Sequence, residues 1–163
     1  MLMLLLTLGA EAQNQTRKSR PATRKATVTR KATVTRKAKT QTVEQQVLGK
    51  HMLSLQWISW DYFGNCEITK LEDGTMKCVG EQASRENDDY LRINGTITIV
   101  DARHLVFNGT IAIRVNYNNG GEECLREGTF DFVASGKRKY WRLQQMDNPC
   151  EGIVDYVDIY FKR

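Results

Sequence analysis

Between Leu91 and Tyr117 the chain alternates apolar and polar residues with a period of two, a pattern few architectures can use. Leu91, Ile93, Gly95, Ile97 and Ile99 share one parity. After a break at Asp101-Ala102, Leu105, Phe107, Gly109, Ile111, Ile113, Val115 and Tyr117 share one as well. The positions between them include Arg92, Asn94, Thr96, Asn108 and Arg114. Successive side chains of a strand point to opposite faces, so the pattern predicts two long strands with one face buried and one wet.

Looser versions of the alternation run through His51 to Trp60, Thr129 to Val133 and Lys139 to Leu143. The stretch Ile153 to Phe161 puts Ile153, Val157, Ile159 and Phe161 on one face, with Tyr156, Asp158 and Tyr160 opposite. Turn signals separate these runs at Asp73-Gly74, Asn118-Asn119-Gly120-Gly121, Ser135-Gly136 and Asn148-Pro149. Asp-Gly and Asn-Gly favour tight turns that need positive φ. Only Val43 to Leu48 reads as a short helix, ended by Gly49. The tetrapeptide Asn94-Gly95-Thr96-Ile97 recurs as Asn108-Gly109-Thr110-Ile111, with Gly128-Thr129 as an echo. A glycine repeated inside successive strands marks a sharp bend in a curled sheet. The expected fold is therefore all-β, a small closed antiparallel barrel in preference to a two-sheet sandwich. In strand number and size it resembles the lipocalin-like class, a resemblance that assigns no residue a role.

Composition divides the chain in three. Residues 1–12 have the layout of a secretory leader: an apolar run ending in Ala10-Glu11-Ala12, too short to span a bilayer as a helix. Residues 13–42 hold three copies of a Thr-Arg-Lys-Ala unit, with ten basic residues and no carboxylate. Val28 and Val34 are their only large apolar side chains, so the composition predicts a disordered basic segment. Residues 43–163 form the expected β domain. The whole chain carries 24 basic and 19 acidic residues, net +5, yet residues 43–163 alone carry 14 basic against 18 acidic. Positive charge is thus concentrated in the arm. The partner implied is a polyanion — acidic glycan, anionic lipid or nucleic acid — attracted through counterion release.

Four cysteines behind a leader point to two disulfides. Cys66 and Cys78 flank the Asp73-Gly74 turn, and Cys124 with Cys150 form the second expected pair. A zinc site is disfavoured because no C-x2-C or C-x4-C spacing occurs. No metal or cofactor is expected.

Chemistry is thinly marked. His51 and His104 lack a nucleophile in context, and no G-x-S-x-G element exists. No catalytic residue is expected. Asp155 shares the inward parity of Val157 and Ile159, so it needs a partner, for which Arg126 or Arg142 is available. The densest binding signal is aromatic: Trp57 and Trp60, and the run Lys137-Arg138-Lys139-Tyr140-Trp141-Arg142. Arg138, Tyr140 and Arg142 share a face, and rings interleaved with arginine suit stacking on sugars or bases. Three Asn-x-Thr sequons stand at Asn14, Asn94 and Asn108. The expected function is an exported, secreted or periplasmic, non-catalytic β domain that binds a small ligand or an anionic surface or glycan. The alternatives are a structural envelope-associated domain without a ligand, and a secreted hydrolase using Asp155 or His104.

Overall fold

A computed structural model describes residues 42–162. The leader, most of the basic arm and the sequon at Asn14 lie outside the described residues. Eight strands follow one another: β1 (Gly49–Leu55), β2 (Gly64–Lys70), β3 (Met76–Ala83), β4 (Tyr90–Asp101), β5 (His104–Arg114), β6 (Cys124–Val133), β7 (Tyr140–Leu143) and β8 (Val157–Tyr160). Each pairs antiparallel with the next, and β8 pairs with β1 through Leu53↔Ile159 and Leu55↔Val157. The sheet is a closed up-and-down barrel.

Inward parity carries the core. Leu91 and Ile93 of β4, Leu105, Phe107 and Ile111 of β5, and Phe132 of β6 are buried, as are Trp141, Leu143 and Ile159. These side chains fill the interior, each large apolar group contributing about 1.5–3 kcal/mol when fully withdrawn from water. Two concave surfaces are present among the described residues. One, of about 870 Å³, lies at the mouth beside Glu44 and Gly74 and reaches the inward-facing Ile97 and Ile99, and the other lies over the outer face of β1 to β4.

The repeated glycines explain the curvature. Gly95 pairs with Gly109, and Gly109 with Gly128, forming a row across three strands. A Cβ on Gly95 would lie 2.3 Å from the Asn108 carbonyl oxygen, and one on Gly109 equally close to that of Asn94. Only hydrogen fits at that approach.

Residues 42–47 are helical and close one mouth, with Val47 in the core. Gly49, at φ +110°, ends the segment. No helix among the described residues is long and apolar enough to cross a membrane.

Cys124 and Cys150 are joined in a disulfide. Cys66 and Cys78 are not joined, which corrects the expected Cys66–Cys78 bridge. Cys66 stands opposite Gly80 and Cys78 opposite Ile68, so the thiols meet across a diagonal, their sulfurs 3.4 Å apart. The hydrogen bond with Cys66, together with burial, pushes the Cys78 thiol well up. A thiol so disposed is a poor source of thiolate, the species that attacks a disulfide.

Three strands are shorter than their apolar patterns. β1 stops at Leu55, leaving Trp57, Ile58 and Trp60 in the following loop. β5 stops at Arg114, and the turn closed by Asn118 N–H on the Val115 carbonyl swings Tyr117 outward. β8 begins only at Val157, with Val154 making an isolated bridge to Asp147.

Candidate functional site

The outer wall of β7, β8 and β1 gathers most of the ring-and-arginine residues. Tyr140 lies opposite Tyr160, Arg142 opposite Asp158, and Asp158 opposite Ser54. This register sets three tyrosines and a phenylalanine side by side. The Tyr140 and Tyr160 centroids are 5.2 Å apart, and Phe63 meets Tyr160 edge-on at 5.0 Å. The Arg142 guanidinium sits 5.1 Å from the Tyr140 centroid and 4.2 Å from that of Tyr156. Such contacts are worth about 0.5–1 kcal/mol each where exposed.

Two arginines of this wall differ in kind. Arg142 Nε and an Nη donate to both oxygens of Asp158 at 2.7 Å, a bidentate pair beneath the rings. Those hydrogen bonds raise Arg142, while burial pushes the Asp158 carboxyl up against the pull of the same arginine. Arg142 is thereby committed to the wall. Arg138 is exposed, with its guanidinium 5.7 Å from the Tyr140 centroid. Among the described residues no carboxylate lies within ion-pairing distance of it. It rides on the β6–β7 turn, where Gly136 adopts φ +57°. Arg103 fastens that turn by donating to the Gly136 carbonyl at 2.8 Å and accepting at its own carbonyl from Ala134 N–H. Lys137, Arg138 and Lys139 are therefore presented together, all exposed, next to the tyrosines.

Trp57 and Trp60 do not join this group. Their loop connects β1 to β2 at the opposite mouth from the β6–β7 turn. Trp57 donates its indole N–H to Asp155 at 3.1 Å, and Trp60 is half exposed.

Asp155 occupies that mouth, fully buried. It accepts from Trp57 Nε1 and from Asn148 Nδ2 at 3.0 Å, and its other neighbour is the Arg126 guanidinium at 3.5 Å. Arg126 points inward from β6 and donates to the Gln145 carbonyl. Burial raises the Asp155 carboxyl and lowers Arg126, each partly offset by the other's charge. Asp155 thus ties the β1–β2 loop through Trp57, the β7–β8 connection through Asn148 and β6 through Arg126, so the group braces the mouth.

The histidines are engaged elsewhere. His104 Nε2 lies 2.7 Å from Asp131, whose carboxylate also accepts from Gln145. His51 is buried, its ring nitrogens against the carbonyls of Val47 and Tyr160. No cluster of three potential metal ligands occurs among the described residues.

Sequence reasoning brought Arg138, Tyr140 and Arg142 together but did not include Phe63, Tyr156, Tyr160 and Asp158 in the site. The outward parity of Tyr156, Asp158 and Tyr160 was a signal for three of them. Phe63 reaches the wall only because Gly64 pairs with Leu53, a matter of register.

A closed eight-stranded wall with a packed interior and a ring-and-arginine exterior defines a small up-and-down antiparallel β-barrel protein. The chain belongs to the PM1083 family, whose model matches residues 31–161. It is 44% identical over 119 residues to "Uncharacterized protein PM1083" of Pasteurella multocida (strain Pm70), covering 73% of this chain and 76% of that relative. No solved structure matches it.

Proposed function

We propose that this chain is an exported, non-catalytic barrel that binds an anionic glycan on the outer wall of β7 and β8. The observation that carries the reading is Arg138: an exposed cation beside a tyrosine platform, with Lys137 and Lys139 on the same turn. Pyranose faces stack on Tyr140 and Tyr160, and a carboxylate or sulfate group meets Arg138. Arg142 keeps the platform in shape. The basic segment 13–42 adds salt-sensitive attraction to the same class of polyanion. A packed interior favours the wall over a hollow as the place of binding. The hydrolase reading is weakened because Asp155 is occupied by two hydrogen-bond donors and an ion pair with Arg126.

The test is calorimetric titration of the full chain with a sulfated or uronic-acid oligosaccharide. Arg138→Glu and Tyr140→Ala should each weaken binding at least about tenfold, the scale of a charge-assisted contact or a ring stack. Unchanged affinity in both variants sinks the proposal and leaves the ligand-free structural domain. Export is checked by the amino-terminal mass of secreted or periplasmic material. A mature chain starting near Gln13 is the expected result.

A further inference from the structure

The barrel is electrostatically lopsided along its axis. The connections 56–63, 84–89, 115–123 and 144–156 all lie at the mouth braced by Asp155, since alternate turns of an up-and-down barrel share an end. They carry nine carboxylates against one arginine, Arg85, and two strand arginines also reach this end: Arg126 beside Asp155, and Arg114, whose Nε donates to the Gly121 carbonyl at 3.1 Å. Of the nine, only Asp89 and Asp155 are buried. At the other mouth, segments 42–48, 71–75, 102–103, 134–139 and 161–162 carry five cations against three carboxylates.

Two large rings stand exposed at the acidic mouth. Trp60 is 53% exposed and Tyr117 61%. Tyr117 is notable because its parity along β5 points to the core. Its hydroxyl donates to the Trp57 carbonyl at 2.7 Å, and its ring meets Trp57 edge-on at 6.5 Å. Trp57 is tied in turn to Asp155. The loop bearing Trp60 and the loop bearing Tyr117 are thus locked together, and a rigid outward ring surrenders burial worth about 1.5–3 kcal/mol.

We propose that this mouth is a docking surface for a Lys- or Arg-bearing peptide segment of another protein, its cations stacking on Trp60 and Tyr117 inside a rim of carboxylates. Indole and phenol faces attract ammonium and guanidinium groups. The surrounding negative potential steers such a partner and disfavours polyanions. The carboxylates come from four loops around the opening. That spread suits several cations spaced along a chain better than one compact ion, and no three metal-ligating groups converge among the described residues. Val154, also exposed on the last of these loops, adds apolar surface for the aliphatic stems of the cations.

The site is separate from the glycan wall, so the two proposals fail separately. The full chain is titrated with a fluorescein-labelled twelve-residue Lys/Arg peptide, a Glu-rich peptide of equal length, and spermine. The Lys/Arg peptide should bind and the Glu-rich one should not. Trp60→Ala combined with Tyr117→Ala should weaken the Lys/Arg peptide about fivefold to tenfold, as expected for two exposed cation–π contacts. Both side chains are exposed, so the urea unfolding midpoint should fall by no more than the loss of one hydrogen bond entails. Arg138→Glu should leave peptide affinity within about twofold, since that charge lies at the other mouth. Undiminished peptide binding in the ring variant overturns the proposal. So does spermine binding as tightly as the peptide, or no binding of the Lys/Arg peptide at all.

Discussion

Asp155 illustrates what a single walled-in carboxylate does to this protein. Burial raises it, so the folded chain holds its proton more tightly than the unfolded chain does. Stability therefore falls as pH rises from the ordinary aspartate value of 3.8 through the raised one, and is level above it. Asp158 acts in the same direction for the same reason. Asp131 acts oppositely: its hydrogen bonds with His104 and Gln145 hold it down, and its contribution is lost as pH falls. Asp155→Asn should flatten the decline on the acid side, measured by urea unfolding at a series of pH values. Asp155→Ala is a harsher change, because besides removing the counter-charge of Arg126 it leaves the Trp57 and Asn148 N–H donors without an acceptor. It should cost about 3–5 kcal/mol at neutral pH, read as a fall in the urea midpoint.

The central strands were legible because their two faces differ so sharply. Leu91 to Ile99 and Leu105 to Val115 turn inward as their parity demands, and the Asn-Gly-Thr repeat marked where three strands bend together. That bend can be tested. Gly109→Ala places a methyl group 2.3 Å from the Asn94 carbonyl oxygen and 2.5 Å from the Gly95 Cα. Backbone atoms on both sides cannot step away cheaply, so the loss should be about 1–3 kcal/mol by urea denaturation. Strand ends were less legible. Trp57, Ile58 and Tyr117 are apolar enough to prolong β1 and β5 on pattern alone, yet the chain leaves the sheet before them. The roles of the wall residues also escaped the pattern. Nothing in the spacing of Arg142 and Asp158 separates a committed arginine from the exposed Arg138, which rests against Tyr140. Only the register Arg142↔Asp158 does.

For the molecule as a whole, closure and cross-linking set the terms. The Cys124–Cys150 bridge spans 26 positions and pins the long β7–β8 connection to the start of β6. Cys150→Ser should lower stability by about 3.5 kcal/mol on the chain-entropy estimate for a loop of that length, read from the urea midpoint. The other pair was legible as neighbours from its spacing around a tight turn, but its bonding state was not. Ellman titration should find no fast-reacting thiol in the folded protein and two after denaturation, since Cys66 and Cys78 are fully enclosed. The seam between β1 and β8 has a final consequence. It joins the first strand to the last through the three register pairs from Leu53↔Ile159 to Leu55↔Val157, about a hundred residues apart in sequence. Every other pairing is between strands adjacent in sequence and can zip as soon as its turn forms. A chain emerging gradually from a ribosome or a pore must therefore keep two unsatisfied strand edges apart until β8 arrives, which makes Val157–Tyr160 the place where a break in the chain leaves a sticky open sheet.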